Sequence, residues 1–101
     1  MTPDTAYADL VRRAREEALL ASCADLLEWD EETYMPKAGV AHRSEQRALL
    51  AGLLHERGTD PRDGELLDVL EGSSLLQDPD AAEAVNVRWL RHEYERERKL
   101  P

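Results

Sequence analysis

The sequence predicts an all-α protein, a small antiparallel helical bundle of three long helices plus one short helix. Three observations carry that expectation. Leu and Ala dominate the apolar residues and Phe is absent, a balance that favours helix over strand. No segment alternates convincingly with period two, whereas apolar residues recur at three- and four-residue spacing. A capping residue followed by proline occurs at Thr2-Pro3, Asp60-Pro61 and Asp78-Pro79, the pattern of a helix start.

The first helix is expected from Pro3, with Thr2 as its cap, and carries Tyr7, Leu10, Val11, Ala14, Ala18, Ala21 and Ala24 at helical spacing. Its stretch "ALLASCADLL" is apolar on nearly every side, so it needs partners on more than one face. Pro36 disfavours the α conformation at Met35, and the helix should end before it. A second helix is expected over roughly 40–57, again strongly apolar in "ALLAGLL", with Gly58 as its stop. Asp60-Pro61 opens the short third helix, with Leu66, Leu67, Val69 and Leu70, and Gly72-Ser73-Ser74 weakens it. The fourth is expected from about Pro79 to near Lys99, with Ala82, Val85, Trp89 and His92 on one face. Its tail, "HEYERERK", pairs Glu95 with Lys99 and Glu93 with Arg96 at helical spacing, the pattern of a solvated face.

At 101 residues the chain is expected to be a single domain, 1–101. Thirteen basic residues against 22 acidic ones give a net charge of −9. That argues against nucleic acid, whose phosphates call for a basic face, and against anionic membrane surfaces. The single Cys23 rules out an internal disulfide and a thiolate zinc site. With no long apolar run and no basic leader, the expected location is the cytoplasm.

The chemistry-bearing residues do not assemble a recognisable site. A zinc-binding HExxH helix needs a second His four residues after the first. That position is Thr59 after His55-Glu56 and Arg96 after His92-Glu93. The acidic cluster Asp30, Glu31 and Glu32 beside Trp29 is open to three readings: surface or capping roles, interdomain polar contacts, or acid–base chemistry, which would need a buried carboxyl. Ser44 lacks a strand–turn–helix setting, and the scattered glycines form no phosphate loop. Catalytic and metal-binding residues are therefore expected to be absent from this chain, which alone is expected not to be an enzyme. Trp29, Met35 and Trp89 suit either a core or a partner-binding patch.

The order of motifs goes further. "LLEWDEETYMP", then "AHRSEQRALLAGLLHE" followed by "TDP", then "NVRWLRHEYERERKLP" resembles the start of the carboxypeptidase Taq family of zinc metallocarboxypeptidases. Trp29, Asp30, Thr33, Met35 and Pro36 carry the most specific element, joined by Arg43 with Glu45-Gln46, Asn86-Val87-Arg88, Tyr94 and Leu100-Pro101. The resemblance runs from about Tyr7 to Pro101. It implies a non-catalytic N-terminal helical segment, a wall or lid of the substrate groove in an enzyme that removes C-terminal residues from peptides. The family's HExxH helix, third zinc ligand and substrate-binding residues lie far downstream, so zinc is expected only in the full-length enzyme. On this reading Trp29, Asp30, Met35, Arg43, Trp89 and Tyr94 form a partner or interdomain face. The expected partner is the missing C-terminal catalytic domain or a second copy through self-association. The alternative is a free-standing acidic helical module that self-associates or binds a protein partner.

Overall fold

In the computed structural model the chain is all-α. The structure describes residues 1–33 and 37–100. Four α-helices follow in order: α1 (Pro3–Thr33), α2 (Val40–Gly58), α3 (Pro61–Glu71) and α4 (Ala82–Arg98). Single 3₁₀ turns occupy Lys37–Gly39 and Ser74–Leu76.

Two of the three expected starts form as caps. Thr2 Oγ1 accepts the Thr5 backbone N–H at 3.1 Å, and Thr5 Oγ1 accepts the Thr2 N–H at 3.1 Å. This is a capping box with Thr5 in the place usually taken by Glu or Gln. At α3, Asp60 Oδ1 accepts the Arg62 N–H at 2.9 Å, with Pro61 at the first helical position. The third start is displaced: α4 begins at Ala82, not near Pro79. Asp78 Oδ1 accepts the Asp80 N–H at 3.0 Å, and the Asp78 carbonyl accepts the Ala81 N–H at 3.1 Å. The Asp78 side chain thus closes a turn of its own, which competes with helix entry.

α2 stops at Gly58 as expected, but not through a left-handed glycine cap. Gly58 is the last residue of α2, and no residue described has a positive φ. Thr59 ends the helix, its N–H and hydroxyl both bonding the His55 carbonyl, at 3.0 and 2.8 Å. Gly58 serves instead as a crossing point. A Cβ there would stand 2.9 Å from Glu97 Cγ and 3.3 Å from Glu17 Oε1.

The core sits at one end of the molecule. Ala6 and Leu10 of α1, Leu66, Leu67 and Leu70 of α3, and Val87 and Tyr94 of α4 form it, with Tyr7, Leu75, Leu76 and Leu90 packed around. The buried face of α4 is therefore Ala84, Val87 and Tyr94. The expected face is turned outward: Val85 and Trp89 are 46% and 61% exposed. Two faces of α4 carry apolar residues at the same period, and contact with α3 selects the one without Trp89. Charged staples finish the junction. Arg13 bridges Asp60 and Asp63, each at 2.5 Å, and Arg91 bonds Asp68 and Glu71, both at 2.6 Å, and Glu95 at 3.2 Å.

The rest of the molecule is an arm. The chain measures 55 × 24 × 21 Å with a radius of gyration of 17.0 Å, against about 13 Å for a compact domain of this length. The C-terminal half of α1 and most of α2 project beyond the core.

Candidate functional site

The arm is the part of the molecule whose surface lacks the balance of a finished exterior. Leu19, Leu26 and Leu49 are each more than 60% exposed, and Leu53 and Trp29 add to them. Polar side chains hold the two helices together. Arg57 reaches Glu16 at 2.9 Å, Arg47 lies 3.8 Å from Glu28, and Arg43 reaches Asp30 at 2.8 Å near the far end. Between the helices, Ala24, Ala48 and Ala51 are too small to fill the space, which leaves a shallow cleft of about 380 Å³ lined also by Glu28, Arg47 and Leu54. The arm has alignment without a core, and burial rather than ion pairing is the main source of helix-packing energy.

Arg43 illustrates the same incompleteness. Its Nη2 is paired with Asp30, but its Nε lies out of solvent with no hydrogen-bond partner among the described residues. Gln46 Oε1, one turn along α2, is in the same state. A polar atom shut from water without a partner costs roughly 1–3 kcal/mol.

The expected face divides into separate parts. Trp29, Asp30 and Arg43 lie together on the arm. Met35 falls outside the described residues. Trp89 stands on α4 at the base, 6.2 Å from the His92 ring between centroids. Beside it Val11, Ala14, Arg15, Asn86 and Leu90 line a groove. Counted along α1 at 1.5 Å per residue, that groove is about 20 Å from Trp29. Tyr94 lies inside the core at 8% exposure, with Arg98 above its ring at 5.3 Å. The other expected positions fall as follows. Asp30 is an ion-pair partner, Glu32 and Cys23 are exposed, and His55 Nδ1 lies 3.2 Å from Glu97 Oε1. Glu93 pairs with Arg96 as its spacing suggests, whereas Glu95 takes Arg91 and Arg98 rather than Lys99.

The residues present do not fit a zinc site. Among the described residues no three His, Cys, Asp or Glu side chains are grouped to hold a metal ion. No helix among the described residues is long and apolar enough to cross a membrane. Spacing gave no sign of the Arg13–Asp60/Asp63 and Arg91 staples, because partners about 20 to 50 residues apart share no helical period.

The sequence pattern of the carboxypeptidase Taq (M32) metallopeptidases matches residues 9–101. The chain belongs to that family. It is 54% identical, over all 101 residues, to thermostable carboxypeptidase 1 of Thermus thermophilus. The match covers 20% of that relative, so the M32 chain described here spans about a fifth of the length of the curated protein it matches. Nothing in these comparisons supports a free-standing interaction module.

Proposed function

We propose that this chain is the N-terminal helical wall of an M32 carboxypeptidase, and that its arm docks against the catalytic part and helps close the substrate groove. The observation that carries this reading is the arm itself: two long helices on which Leu19, Leu26 and Leu49 are each more than 60% exposed. Agreement over the whole of this chain with one fifth of a carboxypeptidase supports the identity of what covers them. The chemistry then belongs to the covering part. There a bound zinc ion would supply Lewis-acid activation of water and carbonyl. This chain contributes shape and the exclusion of water.

Mixing supplies the test. The Thermus relative, shortened by its first fifth, is combined with this chain and assayed for release of C-terminal residues from a peptide. Restored activity is expected with the parent chain and a loss of at least tenfold with Leu26→Glu/Leu49→Glu. Equal activity with and without the chain would refute the proposal.

A further inference from the structure

The groove beside Trp89 continues along the molecule. Its Ala14 and Leu90 also line a second depression, with Glu17, Ala18, Ala21, Leu54 and Glu93, so the two form one trough between α1 and α4. Their volumes are about 350 and 250 Å³. From Val11 to Ala21 the trough runs about 15 Å, nearly three helical turns. α1 and α4 point the same way along it. Asn86 Nδ2 donates to the Tyr7 hydroxyl at 2.9 Å at one end, and Glu17 and Glu97 both approach Gly58 at the other.

The trough carries opposite charges at its two ends. Arg15 stands at the Asn86 end, exposed and without an ion pair among the described residues. Its neighbours on α1 are engaged, Arg12 with Asp9 and Glu16, and Arg13 with Asp60 and Asp63. Glu17 and Glu93 stand at the other end. Trp89, which forms one wall, is 61% exposed.

We propose that this trough seats the helix that follows α4 in the full-length enzyme, folded back antiparallel to α1 and α4. The inference rests on the chain being the N-terminal part of an M32 carboxypeptidase. Consecutive elements usually lie side by side, and short connections make them antiparallel neighbours. A helix turning back from the C-terminus of α4 starts between Glu17 and Glu93 and ends at Arg15. Its first turn carries about half a positive charge and its last turn about half a negative one, so each end meets the opposite sign. The reverse direction would set like against like. Apolar residues on its inner face, three and four apart, would cover Trp89, Ala14 and Leu90. The Trp29 end of the arm lies about 20 Å away and stays free for its own docking.

Extending the chain tests this. About 30 residues that follow the matched region in the Thermus relative are added after Pro101, enough for a turn and a full helix. Amide exchange over residues 83–92 should slow by about tenfold or more on extension. Trp89→Ala and Arg15→Glu should each lower the melting point of the extended chain by about 3 °C or more and move the unextended chain by about 1 °C or less. Leu26→Glu/Leu49→Glu should leave those differences in place, so failure of the trough and failure of arm docking are read separately. Equal shifts in the two chains, or exchange over 83–92 that extension does not slow, would overturn the proposal. Protection of the trough that grows with concentration in the unextended chain would assign it to a second copy and overturn it equally.

Discussion

Single side chains decide how the base of the molecule packs. Leu66 is fully buried in the core that α3 shares with α1 and α4. Leu66→Ala should cost about 2–5 kcal/mol, read as a fall in the denaturant midpoint. Gly64 shows why a helical glycine is not always a weakness. A Cβ there would meet the Tyr94 hydroxyl at 2.8 Å and its ring at 3.1 Å, and Tyr94 is held in the core. Gly64→Ala should therefore destabilise by about 1–3 kcal/mol through overpacking, despite the better helix propensity of Ala. Gly52 is the contrast, with nothing within 4 Å of the same position. Gly52→Ala should stabilise the isolated chain by up to about 1 kcal/mol. A thermal melt in which both alanine variants shift the same way would contradict this reading of the contacts. Sequence spacing does not separate these two glycines, because the difference lies in which side chain from another helix crosses each.

Helix ends were legible wherever the signal is local. Thr2-Pro3 and Asp60-Pro61 cap α1 and α3 as their residue types imply, since a capping oxygen needs only its own N-terminal turn. Asp78-Pro79 shows the limit of that logic: the same residue pair can close a turn instead, and the helix then starts later. The buried face of α4 was not legible, because its choice depends on docking against α3. Asp60 also gives α3 a pH dependence. The Arg62 backbone N–H, and then Arg13, hold its carboxyl below the ordinary value of 3.8. Its stabilisation is present above about pH 3.8 and is lost as pH falls through the depressed value. Asp60→Asn keeps a capping oxygen without the titrating charge. The difference in stability between parent and variant should shrink as pH falls from 5 to 2, and a constant difference by circular dichroism would contradict the assignment.

At the scale of the whole molecule, the family was legible before the shape. The motif residues Trp29, Asp30 and Arg43 identified the peptidase family, and the structure places them together on the arm. The run "ALLASCADLL" signalled a need for cover on several faces, but sequence alone could not show that the chain leaves much of it open. An elongated chain with exposed Leu19, Leu26 and Leu49 should hide that surface in a second copy when the catalytic part is absent. Light scattering should accordingly show a mass that rises with concentration, and Leu26→Glu/Leu49→Glu should hold it at the monomer. A constant monomer mass for the parent chain would contradict this. The most direct test of the central claim is amide hydrogen exchange on this chain, alone and with the Thermus relative lacking its first fifth. Slowed exchange concentrated in residues 19–33 and 40–53 on mixing is the predicted result. No change there, or protection confined to the α3–α4 base, would contradict the arm as the docking surface.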